Sequence, residues 1–179
     1  MRLGHEAPLY PCLPLDATSL VCNGAMANKT VIEGVAGLKS FVGKDLGRSE
    51  WRTMTFEDIQ RFADATGDHQ WIHVDRERAR RESPFRAPIA HGYFTLSLIA
   101  GLFFDLVEMK GFKLVVNYGL NKVRFPAPLK EGQRYRLAIH LQDASEVANT
   151  IEGLIAANVE IEGEKKPACA AEIVFRFYS

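Results

Sequence analysis

The chain has 179 residues, of which 47% are hydrophobic and 25% charged, and Lys+Arg and Asp+Glu number 22 each. Such a chain forms one domain with a sizeable core, which excludes a disordered or fibrous protein. Its zero net charge leaves no basic excess for nucleic-acid phosphates, so no nucleic-acid partner is expected. Cys12, Cys22 and Cys169 lack CxxC spacing, which argues against a disulfide scaffold and a structural zinc site.

Residues 1–35 are predicted to form an N-terminal extension that is poorly packed. Three prolines lie close together near its start, and the stretch has little hydrophobic periodicity. An ordered arm lying over the domain is the alternative, and Met26 leaves open a start site further downstream. A single folded domain is expected over residues 36–179.

Two helices are predicted in the middle of the chain. Thr55 is placed to cap the first helix, and Gly67 is placed to end it in a left-handed conformation. Apolar residues between them recur at helical spacing. The second helix is short; it is expected to begin after Asp75, run through Arg81 and stop at Pro84.

A third helix, predicted within residues 93–107, is apolar on nearly every face. Such a helix must be buried on most sides, so another element has to wrap it. A strand is expected over residues 114–125, which follow the helix. Strict alternation of apolar residues predicts three further strands, over 134–141, 150–161 and 169–177. The linkers 143–148 and 162–167 are short, which predicts an antiparallel meander and an α+β architecture.

No segment of the sequence is predicted to enter a membrane. The longest apolar stretch, the third helix, is interrupted by Thr95, Ser97 and Asp105, and it is too short and too polar to span a bilayer. The N-terminus has no pattern typical of a signal peptide. We therefore expect a cytoplasmic protein.

The most informative stretch for chemistry joins the first two helices. Asp68 follows the end of the first helix, and His73 comes after a turn on the same loop. An imidazole accepts protons near neutral pH, and a nearby carboxylate can orient the same water. Such a pair suits the addition of water to a carbon–carbon double bond or its removal. The structural alternative stays open, since Asp after a helix often caps it locally and a lone His is often a satisfied loop residue.

A second feature lies where the third helix begins. Gly92 follows His91 at this point, and a helix N-terminus exposes free N–H groups with a partial positive charge. A glycine lets a ligand approach the backbone closely, so this position could hold a developing oxyanion on a thioester carbonyl. An ordinary helix start beside a proline turn is the alternative.

Asn117 and Asn121 interrupt an otherwise apolar strand. Either side chain could orient a substrate, or it could satisfy a bulge or a strand edge. The histidines near Asp68 match no zinc spacing and include no HxxxH pair, so no metal is expected.

The residues of this stretch resemble a known family. The pattern FAxxTGDxxxxHxD over residues 62–75, followed by PIAHG over 88–92, is similar to the MaoC-like dehydratases, which include the (R)-specific enoyl-CoA hydratases. GDHQWIH over 67–73 and NYGLNKVRFP over 117–126 are similar to the nodulation protein N-like branch of that family. The resemblance extends from about Phe41 to the C-terminus.

The resemblance implies a hot-dog fold, in which an antiparallel sheet wraps a long central helix, and a homodimer joined at sheet edges. It implies reversible hydration of trans-2-enoyl-CoA, or a related enoyl thioester, to (3R)-hydroxyacyl-CoA. Asp68 and His73 match the catalytic pair that activates water, and the backbone N–H of Gly92 matches the oxyanion donor. The thioester would be carried by CoA or by an acyl-carrier protein, and no cofactor is implied.

Five further residues are candidate contacts to the substrate: His91, Trp71, Ser97, Asn117 and Asn121. Trp71 belongs to a departure from the family pattern, because many hydratases have Asn-Pro where this chain has Gln70-Trp71. Two other functions stay open at this point. One is thioester hydrolysis on the same fold, and the other is a non-catalytic module that binds acyl-CoA.

Overall fold

A computed structural model describes residues 29–178 of the chain. Within this range the helices and strands are, in chain order, β1 Thr30–Glu33, α1 Gly34–Ser40, β2 Lys44–Arg48, β3 Arg52–Thr53, α2 Phe56–Thr66, α3 Trp71–Val74, α4 Arg76–Glu82, α5 Gly92–Leu106, β4 Val107–Lys110, β5 Leu114–Arg124, β6 Arg134–Val147, β7 Thr150–Ile161 and β8 Cys169–Tyr178. The described part of the chain has no helix long and apolar enough to cross a membrane.

The main sheet is antiparallel and curls around α5. Its strand order is β2-β6-β7-β8-β5, and the short strand β3 also pairs with β6. Alternate residues of β6, β7 and β8 are buried, as the period-two pattern predicts. The α+β prediction is confirmed, with the long helix lying against the apolar face of the sheet.

The core forms where α5 meets this sheet. One side of the helix is buried, and its buried residues are Thr95, Ile99, Leu102, Phe103 and Leu106. The ring of Phe103 lies 4.9 Å from that of Phe175 on β8, measured between centroids. The packing of large apolar side chains between helix and sheet positions α5, and its N-terminus carries the candidate site.

The prediction that α5 is buried on most sides is wrong for the single chain. The opposite side of the helix is open, with Tyr93 74% exposed and Phe104 45% exposed. The sheet of one chain covers only one side of a helix. The apolar residues on the second side of α5 are therefore not covered by any other part of residues 29–178.

The linker predicted over residues 143–148 is also different in the structure. β6 continues to Val147, and Val147 pairs with Thr150 across a tight turn in which Ala148 has a positive φ of 52°. A β-bulge between Leu141 and Asp143 shifts the register. Polar, exposed side chains follow the bulge, so the apolar alternation that predicts a strand stops before the strand does.

The predicted N-terminal extension overlaps an ordered strand. β1 pairs in parallel with β4, and its Ile32 is fully buried. The packed region therefore begins before residue 36. Residues 1–28, including Met26, lie outside the described residues.

Cys169 lies at the start of β8 and is buried. Burial raises the pKa of its thiol to about 11, because the charged thiolate is poorly solvated there. The thiol is therefore protonated at neutral pH and unreactive. Cys12 and Cys22 lie outside the described residues.

Candidate active site

The loop that carries Asp68 and His73 is held at both ends by helix caps. Thr55 caps α2, accepting a hydrogen bond from the Asp58 amide at 3.1 Å, and Gly67 ends α2 with a φ of 77°. Asp75 caps α4 by accepting a hydrogen bond from the Arg78 amide at 2.9 Å. These caps confirm both predicted helices and leave only a short segment free to shape the site.

His73 is buried on α3, a short helix within the predicted turn. Its Nδ1 donates a hydrogen bond to the carbonyl oxygen of Ile89 at 2.6 Å. A carbonyl can only accept, so Nδ1 carries the hydrogen and Nε2 of the neutral ring is the free proton acceptor. The segment that supplies this carbonyl is itself held by a hydrogen bond from the Ile89 amide to the Ile72 carbonyl.

The surroundings of His73 favour its neutral form. Burial lowers the pKa of His73 below its ordinary value of 6.5, and the neighbouring His91 adds to that lowering. The hydrogen bond to the Ile89 carbonyl and the negative charge of Asp68 act in the opposite direction. The imidazole is thus available as a base at neutral pH and somewhat below it.

Asp68 faces the two histidines from the end of α2. One of its carboxylate oxygens and one ring nitrogen from each of His73 and His91 all lie within 4.8 Å of one another. The Asp68 side chain is 55% exposed, whereas both histidines are buried. The carboxylate is therefore the part of the cluster that incoming water or substrate can reach from solvent.

His91 connects this cluster to α5. Its Nε2 donates a hydrogen bond to the backbone carbonyl of Asp68 at 2.9 Å, and its ring stacks on that of His73 with centroids 3.7 Å apart. The ring also packs against Phe62 of α2, with centroids 5.1 Å apart. The predicted loop residues and the start of α5 are thus brought together.

Gly92 is the first residue of α5, where backbone N–H groups have no acceptor within the helix. A Cβ atom added at Gly92 would meet ring carbons of Phe125 at 3.0 Å. Phe125 follows the end of β5, and its ring makes an edge contact with Tyr93. Glycine fits here without strain, whereas a larger residue would force the aromatic ring or the backbone to shift.

A cavity of about 390 Å³ lies between α5 and β5. Ligand cavities in proteins have volumes of about 300–1,000 Å³. It includes two of the predicted contact residues, and its lining is Leu96, Ser97, Ala100, Asn117, Tyr118, Gly119, Leu120 and Ile173. The hydroxyl of Ser97 donates to the Tyr93 carbonyl at 2.8 Å, which leaves its oxygen able to accept a further hydrogen bond.

Two of the predicted contact residues, Trp71 and Asn121, belong neither to this cavity nor to the cluster of Asp68, His73 and His91. The ring of Trp71 lies under the guanidinium group of Arg78, 4.4 Å from the ring centroid, and Arg78 is held by Glu82 at 2.8 Å. Asn121 is exposed at one of the two bulges of β5, the one between Leu120 and Lys122. Trp71 thus takes part in a cation–π pair, and Asn121 lies at an irregularity of the strand.

The cluster of Asp68, His73 and His91 has the donor types of some metal sites. A ring nitrogen directs its lone pair within the plane of the ring. The two imidazole planes are nearly parallel, at 23°, and stacked. An ion shared by two stacked rings would lie outside both ring planes, away from the lone pairs, so the geometry suits proton transfer better than metal coordination.

Comparison with known proteins identifies the family. A model of the MaoC-like domain matches residues 38–163. The 3-hydroxyacyl-thioester dehydratase Z of Mycobacterium tuberculosis is 49% identical over 146 residues, which cover 81% of this chain and 96% of that protein. The chain belongs to the MaoC-like dehydratase family. Nodulation protein N of Rhizobium leguminosarum bv. viciae is 43% identical over 143 residues, 76% of this chain and 86% of that protein.

Solved structures share the fold of this MaoC-like chain. The (R)-hydratase from A. caviae involved in PHA biosynthesis superposes with a TM-score of 0.62 at 22% identity, over 75% of this chain and 94% of that chain. R-hydratase PhaJ1 from Pseudomonas aeruginosa gives a TM-score of 0.60 at 20% identity, over 77% and 82%. The expected hot-dog fold is confirmed.

Sequence reasoning missed three contacts within this MaoC-like site. The Ile89 carbonyl that fixes the tautomer of His73, the Phe62 ring behind His91, and the Phe125 ring over Gly92 all come from other segments of the chain. Ile89 lies inside the PIAHG motif, which indicates the segment but not the role of its carbonyl. Phe125 belongs to the NYGLNKVRFP stretch, and nothing local indicates that its ring reaches α5.

Proposed function

We propose that this MaoC-like dehydratase reversibly hydrates a trans-2-enoyl thioester to the (3R)-hydroxyacyl thioester, using Asp68 and His73 to activate water. Family membership makes the chain a hydro-lyase, and its dehydratase relatives act on acyl thioesters. The observation that carries the proposal is the cluster of a carboxylate and two imidazoles beside the N-terminus of α5. The arrangement combines an acid–base pair with an electrostatic site for an oxyanion.

In the hydration direction, Asp68 accepts a hydrogen bond from the water and orients it, while Nε2 of His73 takes one of its protons. The resulting hydroxide adds to C3 of the enoyl group, and the electron pair of the double bond moves towards the thioester carbonyl. The proton on His73 is then delivered to C2 on the same face. One water is consumed and the two side chains return to their starting protonation states.

The thioester carbonyl oxygen carries negative charge in the intermediate stage of this addition. The backbone N–H of Gly92 and the positive end of the α5 dipole would stabilise that charge. The absence of a side chain at Gly92 allows the carbonyl to reach the backbone beside the ring of Phe125. We assign the acyl chain to the cavity between α5 and β5, where Ser97 and Asn117 supply polar contacts.

We also propose that the enzyme is a homodimer joined along β5. This strand is an edge of the sheet and carries exposed apolar side chains, among them Leu114, Tyr118 and Leu120. Unpaired edges of this kind invite pairing with another strand. Light scattering after gel filtration should give twice the 20.0 kDa mass of the chain. The mass of a single chain would contradict this proposal, and cytoplasmic localisation stays a prediction.

The pH dependence of hydration follows from the environment of His73. Because burial lowers its pKa, the base stays neutral as the pH falls through 6.5, and kcat/KM should decline only below that value. The matched measurement uses His69→Ala, which removes the exposed histidine that pairs with Asp64 at 2.9 Å. That variant should keep the same acid limb, whereas an acid limb above 6.5 in the wild-type enzyme would contradict the role of His73.

The proposed function is tested with crotonyl-CoA and a longer trans-2-enoyl-CoA in parallel. Loss of the enoyl-thioester absorbance without release of free thiol is the expected result. Free thiol would indicate thioester hydrolysis instead, and saturable binding without turnover would indicate a binding module. Either of those outcomes overturns the hydratase proposal, provided that circular dichroism shows folded protein.

A further inference from the structure

We infer that His91 is a positioning residue that holds Asp68, His73 and the Gly92 amide at a constant spacing through its Nε2–H hydrogen bond to the Asp68 carbonyl. This inference rests on the proposed function, because it concerns the same three reacting groups. His91 touches no reacting atom in the proposed mechanism. Its role is to connect two segments that are distant in the sequence.

The first observation is the hydrogen bond from Nε2 of His91 to the backbone carbonyl of Asp68, at 2.9 Å between residues 23 positions apart. Asp68 lies immediately after the left-handed cap of α2, where the chain has no further helical hydrogen bonds to restrain it. This part-buried hydrogen bond restrains the backbone of Asp68 relative to α5, while the Gln70 amide, 3.4 Å from Oδ1, contacts the carboxylate itself. Backbone contacts of this kind orient functional side chains without joining the chemistry.

The second observation is that the His91 ring is buried between aromatic neighbours from two other segments. It stacks on His73 at 3.7 Å and packs against Phe62 at 5.1 Å, both between centroids. Its Nδ1 is buried and has no hydrogen-bond partner among residues 29–178. Because Nδ1 makes no hydrogen bond, only the Nε2 hydrogen bond and the packing of the ring set its orientation. Leaving a buried polar atom without a partner costs free energy, which these contacts offset.

The third observation is the place of His91 in the chain. The next residue is Gly92, which begins α5 and offers the amide assigned to the oxyanion. One side chain thus links the segment that carries the oxyanion donor to the backbone of the carboxylate and to the ring of the base. Displacement by about 1 Å in such a constellation can cost about 10²-fold in rate.

Removal of the His91 imidazole also has an electrostatic consequence for His73. The titratable groups that act on His73 are His91, which lowers its pKa, and Asp68, which raises it. His69 faces away and pairs with Asp64. Without the imidazole of residue 91 the pKa of His73 should rise, and the acid limb of kcat/KM should move to higher pH.

The test compares His91→Gln with His91→Asn. The amide nitrogen of Gln reaches the position of Nε2, whereas the shorter Asn reaches only that of Nδ1 and cannot donate to the Asp68 carbonyl. We expect kcat for crotonyl-CoA within about fivefold of wild type for His91→Gln, and a loss of about 10²-fold for His91→Asn, in line with a misplaced catalytic group. KM should change by no more than about threefold in either variant, because ground-state binding is retained.

Two outcomes overturn the inference while leaving the hydratase proposal intact: equal kcat for folded Gln and Asn variants, or an effect confined to KM. Should His91→Asn fail to fold, His91→Gln decides the matter, and a loss of about 10²-fold in that folded variant contradicts the positioning role. Absence of hydration by the wild-type enzyme instead overturns the proposed function. The two failures are therefore distinguishable.

Discussion

Replacing Asp68 by Asn is expected to lower kcat for enoyl-thioester hydration by about 10³-fold, and His73→Gln should have a similar effect. Asn cannot orient the water with a full negative charge, and Gln removes the imidazole nitrogen that takes the proton from that water. General acid–base catalysis contributes about 10²–10⁴-fold to enzymatic rates. The measurement is the initial rate of absorbance loss with crotonyl-CoA at saturating substrate.

The matched control is Asp64→Asn, which changes another exposed acid, on α2 just before the site loop, and removes the negative charge that faces His69. Its kcat should stay within about twofold of wild type, as expected for an exposed ion pair away from the substrate. Thermal unfolding should show intact folding of Asp68→Asn, because the Asp68 side chain is more than half exposed. The same measurement shows whether His73→Gln, which changes a buried side chain, is folded before its rate is compared. Full activity of folded Asp68→Asn and His73→Gln would contradict the assignment of Asp68 and His73 as the pair that activates water.

Gly92→Ala is expected to lower kcat by about 10²-fold, the effect of losing an oxyanion donor. The added Cβ would lie 3.0 Å from the ring of Phe125, so either the ring or the start of α5 must move. The backbone N–H then no longer points to the place where the thioester oxygen becomes negative. Initial rates with crotonyl-CoA measure this effect.

Two further variants separate this steric cause from a general effect on α5. A Cβ at Gly101, on the same helix, would meet nothing within 4 Å, so Gly101→Ala should retain wild-type activity and gain about 1 kcal/mol in helix stability. The double variant Gly92→Ala/Phe125→Ala should recover much of the activity lost in Gly92→Ala, which is the coupling expected for residues in contact. Additive losses in the double variant would argue against the steric explanation.

The helix caps of the site could be predicted because their signals are local. Thr55, Gly67 and Asp75 each act on backbone within a few residues, and the structure places all three as caps. The alternation of β6, β7 and β8 is informative for the same reason, since it depends on one buried face. Local signals are thus sufficient to predict that Asp68 and His73 share one short loop.

The contacts that turn this loop into a site could not be predicted in the same way. The tautomer of His73 depends on the carbonyl of Ile89, 16 residues away, and the stack with His91 depends on how α5 approaches α2. Periodicity carries no information about which residues meet across the fold. The PIAHG motif indicates a functional segment, but not that the side chain of His91 packs on the base.

One error comes from what covers the surface of α5. The helix is apolar on nearly every face, yet Tyr93 and Phe104 are exposed because the sheet of one chain covers one side of a helix. The residue types indicate an apolar surface, but tertiary packing determines which neighbour covers it. The contact of Trp71 with substrate stays a prediction, and in the structure its ring lies against the guanidinium group of Arg78.

The most direct test of the proposed mechanism uses the reverse reaction, with (3R)- and (3S)-3-hydroxybutyryl-CoA supplied separately to wild-type enzyme and to Asp68→Asn. We expect growth of enoyl-thioester absorbance from the (3R) compound with wild-type enzyme only. No growth is expected from the (3S) compound, and none from either compound with folded Asp68→Asn. Dehydration of the (3S) compound alone, or dehydration of the (3R) compound that survives Asp68→Asn at the wild-type rate, would contradict the mechanism.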